Sequence, residues 1–220
     1  MNMRRRIVWI ASIALLWGVG GTTVPAFAAR TGVPASLTQA GEYAEDIYDA
    51  AKACNCKSAE TLYAKLQSAV KRVKTDVNDQ KANKNKLDKA VAELGSAVKS
   101  KNKQSAMESA NTITYIAAEM SRPYAQVVPV EVTELDYYGR ELEIWSAAKN
   151  MTRLQQAASG MRTAWQTVRP RVISHGGTAQ ARKFDSLMSQ LAKAQTPADY
   201  GRLATPILDQ VDMLEQVFTK

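Results

Sequence analysis

Apolar residues recur at intervals of three and four along nearly all of the chain beyond about residue 35, with polar residues between them. This period places the apolar side chains on one face of an α-helix, where they can pack against neighbouring helices. No useful run alternates apolar and polar residues, and the nearest, at 127–132, is interrupted by Pro129. The pattern therefore predicts an all-α fold of helices packed side by side.

Start and stop signals divide this pattern into eight helices. Thr196 is followed by Pro197 and by Asp199, a combination typical of a helix N-terminus. His175 precedes two glycines and marks a helix end, and Pro170 is expected to kink or end the helix that contains it. The predicted helices lie near 36–52, 58–77, 84–99, 103–121, 131–148, 152–173, 178–194 and 197–218.

The two halves of the chain resemble each other. Residues 47–52 align with 144–149, and the apolar pattern that begins at Leu87 recurs from Phe184, both at an offset of 97 residues. All four segments keep their order, which indicates an internal duplication, although amphipathic helices can also align by chance. We predict two tandem antiparallel four-helix units, which are 29–121 and 131–220, joined by a linker at 122–130.

The first residues have the pattern of a signal peptide. Three arginines at 4–6 precede an uncharged apolar run at 7–21, and small residues flank Phe27 in the triplet 26–28. Cleavage after Ala28 is expected. The competing interpretation is an uncleaved membrane anchor, but the run is shorter than the roughly 20 residues that span a bilayer. We therefore predict a periplasmic or secreted protein with no integral membrane segment after removal of residues 1–28.

The sequence offers no catalytic constellation and no cofactor fingerprint. His175 is the only histidine, and it stands beside two glycines in a predicted connection. Catalysis by a serine–histidine–aspartate triad needs an oriented imidazole, whereas this ring is expected at the surface at a helix C-terminus. We therefore predict that the protein is not an enzyme and needs no cofactor.

Cys54 and Cys56 are the only cysteines. Two cysteines in an oxidising compartment usually pair, but a separation of one residue strains disulfide geometry. The alternatives are a strained and reducible disulfide, a bridge between molecules, or a two-thiolate site for a soft metal such as Cu(I). We favour a disulfide that pins the turn between the first two helices over a metal site.

Carboxylates cluster at helical spacing on two predicted helices. Without an accompanying Glu-x-x-His motif they do not match the di-iron bundles, so we expect solvated faces and partners for helix N-termini. The residues are Glu42, Glu45, Asp46, Asp49, Glu131, Glu134 and Glu141.

Positive charge is concentrated between residues 65 and 103, where eleven Lys and Arg residues face four Asp and Glu residues. Few aromatic residues and almost no Arg accompany these lysines, so nucleic acid is not an expected partner. The alternatives are a charged face that only keeps the protein dissolved, or weak attraction to an anionic polymer or lipid surface of the envelope. The residues expected to carry such binding are Lys81, Lys84, Lys86 and Lys89.

From Glu131 onward the two signs nearly cancel, so the second unit is not expected to bind. The sequence as a whole favours an exported, non-enzymatic helical protein of the envelope or medium that binds or scaffolds. The alternative is a small metal- or redox-handling protein that uses Cys54 and Cys56.

Overall fold

A computed structural model describes residues 32–219, and within that range the chain forms eight α-helices and no β-strand. The all-α prediction is thus confirmed, whereas the predicted signal peptide lies outside the described residues. The helices are α1 (Ala35–Lys52), α2 (Cys56–Asp76), α3 (Lys81–Lys99), α4 (Lys103–Ser121), α5 (Val130–Ala147), α6 (Met151–Ser174), α7 (Thr178–Leu191) and α8 (Pro197–Phe218).

One helix start differs informatively from the prediction, and one helix continues through a proline that was expected to kink or end it. The helix α3 begins at Lys81 because Gln80, at φ 66°, turns the chain and donates from Nε2 to the Met120 carbonyl at 2.9 Å. The first turn of α3 is exposed and polar, so it adds nothing to the apolar period. The helix α6 does not end at Pro170, since the completely buried Val168 and Val172 hold it in the core on both sides of that residue.

Three helix connections share one local design. An asparagine caps the following helix by accepting a hydrogen bond from the backbone N–H three residues later, as this residue type commonly does. The residue before each asparagine has a left-handed backbone, which turns the chain sharply. The pairs are Cys54–Asn55 (φ 56°), Lys101–Asn102 (φ 55°) and Lys149–Asn150 (φ 53°).

The first four helices pack in a ring, in which α1 contacts α2 and α4, and α3 contacts the same two helices. The last four follow the same order, with α5 and α7 each contacting α6 and α8. One continuous apolar core fills both rings, and its largest fully buried members include Tyr48, Phe184 and Leu37.

The two rings meet through α1 and α4 on one side and α5 on the other. The helix α4 packs directly on α5, and side chains of α1 also reach α5. The helices α2 and α3 have no helix contact with the second ring, and α7 has none with the first. The helix α6 reaches the first ring through a single ion pair, from Arg153 to Glu108 at 3.5 Å. We call α1, α4 and α5 the inner helices, together with α8, whose Glu215 interacts electrostatically with Glu45 of α1, and we call α2, α3, α6 and α7 the outer helices.

None of the helices within residues 32–219 combines the length and the apolar character that crossing a membrane would require.

Candidate functional site

A buried charged cluster lies where the inner helices meet. The guanidinium of Arg140 is 3% exposed, and its Nε lies 2.8 Å from Asp136 Oδ2 on the same helix, α5. Its Nη2 lies 4.0 Å from Glu45 Oε2 on α1, and the group covers the Tyr48 ring at 5.0 Å. Burial alone lowers the pKa of Arg140, but the surrounding carboxylates outweigh it and raise the value. Arg140 therefore stays charged and ties α1 to α5.

Glu215 of α8 is the unusual member of this cluster. It is 6% exposed, and among the described residues its Oε1 has no hydrogen-bond partner. Burial, together with the carboxylates of Asp136 and Glu45, raises the pKa of Glu215 to about 9. The side chain is therefore protonated at neutral pH, because a further buried negative charge would be costly here.

A second polar group joins α4 to α5. Glu141 is 6% exposed and accepts hydrogen bonds from Asn111 Nδ2 at 3.0 Å and from Trp145 Nε1 at 2.7 Å. Burial raises the pKa of Glu141, while the two donors oppose that shift by stabilising the carboxylate. The contact is structural, because both carboxylate oxygens are occupied by fixed donors.

Arg122 occupies the connection between α4 and α5. It forms ion pairs with Glu119 at 2.6 Å, with Glu131 at 2.7 Å and with Glu134 at 2.6 Å. These carboxylates hold the connection against the N-terminal half of α5. All three carboxylates pair with the same guanidinium, so they present no open ligand site.

The expectation of solvated acidic faces is therefore wrong for Glu45 and Glu141, which are both buried. Each lies on the side of its helix that faces the other ring. Because the residues that form the contact between the rings are polar, they do not add to the apolar period of their helices. The prediction was correct for His175, which is exposed at the C-terminus of α6, with Nδ1 2.8 Å from the Arg171 carbonyl oxygen.

Cys54 and Cys56 lie at the end of the first ring and are not joined to each other in the structure. They line a small cavity of about 60 Å³ with Lys101 and Lys103, above a floor of alanine and valine side chains. Cys54 and Lys101, the left-handed residues before Asn55 and Asn102, both line this cavity. Two thiols are the only soft ligands there, and no set of three metal-ligating side chains is present within the described residues. The disulfide and the metal site both remain predictions.

The four lysines expected to bind anions differ in their surroundings. Lys81, Lys86 and Lys89 are exposed on α3, and Lys89 has only a long ion pair of 3.8 Å to Glu93. Lys84 instead donates from Nζ to the carbonyl oxygens of Val77, at 2.8 Å, and Asn78. Lys84 thus stabilises the C-terminal end of α2 and is less available to a partner than the other three.

Charge is segregated between the layers of helices. The outer helices α2 and α3 carry ten Lys and Arg residues against four Asp and Glu residues, whereas the inner helices α1 and α4 carry two against six. In the second ring the outer helices α6 and α7 carry six against one, and the inner helices α5 and α8 carry two against nine. The near neutrality of residues 131–220 therefore conceals a basic outer layer and an acidic inner layer.

The outer layer of the second ring exposes several cations. Its single acid, Asp185, is held by Arg169 Nη2 at 2.8 Å and by Trp165 Nε1 at 2.9 Å. Four exposed cations of this layer form no ion pair within residues 32–219. They are Arg162, Arg171, Arg182 and Lys183. The net charge of residues 131–220 taken together does not show these exposed cations. The net charge of each predicted helix, taken separately, does.

A polar groove of about 510 Å³ runs between α3 and α4. Hydroxyl groups such as those of Ser96 and Ser105 line it, with Glu93 and Glu108 as its carboxylates. No imidazole or thiol of the described residues lines this groove.

No protein-family model matches this chain, and neither a curated protein nor a solved structure is similar to it.

Proposed function

We propose that the protein is an exported, non-enzymatic helical scaffold that attaches to anionic surfaces of the cell envelope through its basic outer helices. The observation that carries this proposal is the segregation of charge, with cations on the outer helices and carboxylates on the inner ones. Dispersed ammonium and guanidinium groups attract polyanions without a shaped pocket. The exposed residues Lys71 of α2 and Lys81, Lys86 and Lys89 of α3 are the contacts in the first ring.

The proposal includes export, with residues 1–28 as a cleaved signal peptide. Its support is the sequence alone, in which three arginines precede the apolar run and Ala28 provides a cleavage position. Export would place the outer helices beside envelope polymers and lipid headgroups, both of which carry negative charge.

The proposal also includes two four-helix units, 29–121 and 131–220, that arose by duplication. The same order of helix contacts in both rings supports it. An ion pair between the second and third helices of each ring supports it further, since Lys74–Asp88 at 2.8 Å has its counterpart in Arg169–Asp185 at 2.8 Å.

The residues that cap the helices refine the alignment of the two units. Pro34 precedes α1 and Pro129 precedes α5, at an offset of 95 residues, and the capping residues Asn55 and Asn150 have the same offset. This offset replaces the value of 97 obtained for the first helix from sequence matching. It makes Glu45 equivalent to Arg140, so two equivalent positions face each other across the contact between the units.

Cell fractionation tests the proposal. The chain with its native leader, expressed in a bacterial host, should leave the cytoplasm and remain with the envelope until salt is added. A variant with Gln at Lys71, Lys81, Lys86 and Lys89 and at the four exposed cations of the second ring should wash off in dilute buffer. Arginine at the same lysine positions preserves the charge and should preserve retention. Accumulation in the cytoplasm, or retention that salt and charge do not change, would contradict the proposal.

A second candidate function uses Cys54 and Cys56, and the cavity that both thiols share favours it. Two thiolates on an apolar floor would suit a soft ion such as Cu(I). Metal analysis of the exported protein, compared with a Cys54→Ser/Cys56→Ser variant, separates this function from scaffolding. Stoichiometric metal that the variant lacks supports it. Resistance of both cysteines to alkylation without prior reduction would instead indicate the disulfide and contradict metal binding.

A further inference from the structure

The basic outer helices lie on two sides of the molecule and not on one. The helices α2 and α3 contact only each other and the inner helices of their own ring. The helix α7 likewise contacts only α6 and α8, and α6 approaches the first ring only through Arg153. The two pairs of basic outer helices therefore do not contact each other, and the net acidic helices α4 and α5 lie between them.

We propose that the protein bridges two anionic lipid surfaces, with one outer layer on each. This inference rests on the proposed function and deepens it, because it assigns the second ring a surface of its own. It replaces the expectation that residues 131–220 do not bind. The first face consists of exposed Lys71, Lys81, Lys86 and Lys89. The second consists of exposed Arg182 and Lys183 on α7, together with Arg162 and Arg171 on the two flanks of α6.

The separation of the two faces makes them independent. Helix contacts lead from α3 through α4 and α5 to α6 or α8 and only then to α7, so several helix spacings of about 8–10 Å each separate α3 from α7. The Debye length is about 8 Å at physiological ionic strength, so a charge bound at one face is screened from the other. Occupying the first face therefore leaves the attraction of the second for another surface unchanged.

The acidic inner layers favour this arrangement over attachment through the side of the molecule. Apart from their buried members, the inner helices of the two rings carry eleven Asp and Glu residues against three Lys and Arg residues. An anionic surface that approached their exposed edges would meet like charge. Attraction is thus directed to the two outer layers, and a flat bilayer cannot reach both at once.

Vesicles test bridging separately from binding. The full chain is mixed with vesicles of phosphatidylglycerol and phosphatidylcholine, or with phosphatidylcholine alone, and both sedimented protein and light scattering are measured. Wild-type protein should sediment with the anionic vesicles and increase their scattering. The scattering should fall again at high protein, when every vesicle is coated and no free surface remains to be bridged.

Two variants with four substitutions each, to Gln, remove one face at a time. The positions are exposed and Gln is a good helix former, so both variants should fold, which circular dichroism checks. Each should keep sedimentation within about twofold and lose the scattering increase roughly tenfold, because linkage of two surfaces needs both faces. A variant that removes both faces should lose both signals.

The outcomes distinguish bridging of two surfaces from attachment to a single anionic surface. Wild-type protein that sediments without raising the scattering overturns bridging alone, as does a single-face variant that bridges as well as wild type. Absence of sedimentation with anionic vesicles overturns the proposed attachment itself. Binding of soluble polyphosphate without binding of vesicles would assign the faces to a flexible polymer and overturn the lipid inference.

Discussion

The hydroxyl of Tyr48 on α1 donates a hydrogen bond to Glu143 Oε2 on α5 at 3.0 Å, and each is the fourteenth residue after the proline that precedes its helix. Lys52 of α1 also pairs with Glu143. The contact between the rings is thus built from residues at equivalent helical positions that differ in chemistry. A hydroxyl and an ammonium group on one side meet a carboxylate on the other.

Replacement of Tyr48 by Phe should weaken the contact between the rings. The ring stays in the core, but the carboxylate loses a donor, and hydrogen bonds to charged groups contribute about 1.5–3 kcal/mol. Urea unfolding should show the lower stability. The control is Tyr43→Phe, since no hydrogen bond of the Tyr43 hydroxyl is found within residues 32–219 and this variant should match wild type. Equal stability of Tyr48→Phe and wild type would mean that the bond contributes nothing.

The buried carboxyl of Glu215 should make stability depend on pH. Its folded pKa of about 9 lies above the ordinary value of 4.5, so the folded state holds a proton that the unfolded state releases. This stabilisation is complete below pH 4.5 and is lost as pH rises towards 9, by at most about 1.4 kcal/mol per pH unit.

Glu215→Gln keeps the shape and removes the titration. Relative to wild type, it should gain at least about 1 kcal/mol between pH 5 and pH 8. Thermal unfolding at both pH values measures this difference. Asp209→Asn, at an exposed position of the same helix, is the control and should show little change. A constant difference between Glu215→Gln and wild type would show that Glu215 is ionised at both pH values.

Lys84 and Lys86 should respond differently to the same substitution. Lys84 Nζ donates to the Val77 carbonyl at 2.8 Å at the C-terminal end of α2, whereas exposed Lys86 has no ion pair within the described residues. Lys84→Met should lower the free energy of unfolding by about 1 kcal/mol, through loss of a charged donor at a helix C-terminus. Lys86→Met should change it little. Equal effects in urea unfolding would contradict the structural role of Lys84.

The helices were predictable because each of them turns a regularly spaced set of apolar residues towards the core of its own ring. The prediction failed for Glu45 and Glu141 because the rings meet through polar groups, which the period treats as surface. It failed for the first turn of α3 because that turn buries little apolar area. The layering of charge was present in the sequence, but it becomes visible only when each helix has been assigned to an inner or outer layer.

The amino terminus of the exported protein gives a direct check on its processing. Intact-mass measurement should show a chain that begins at Ala29, because the triplet before it has small residues where signal peptidase requires them. Replacing Ala28 by a bulky residue such as Phe should block cleavage, whereas Ala28→Gly should allow it. Exported wild-type protein that retains Met1 would rule out the cleaved signal and favour the membrane anchor.

The central claim is that exposed cations on the outer helices attach the protein to anionic surfaces by screened Coulomb attraction. The most direct test is sedimentation of the full chain with anionic vesicles across a salt series, with neutral vesicles alongside. The bound fraction should fall roughly tenfold as the Debye length shrinks from about 30 Å at 0.01 M salt to about 3 Å at 1 M. Neutral vesicles should bind almost none. Equal binding to both kinds of vesicle, or binding that salt leaves unchanged, would contradict the claim.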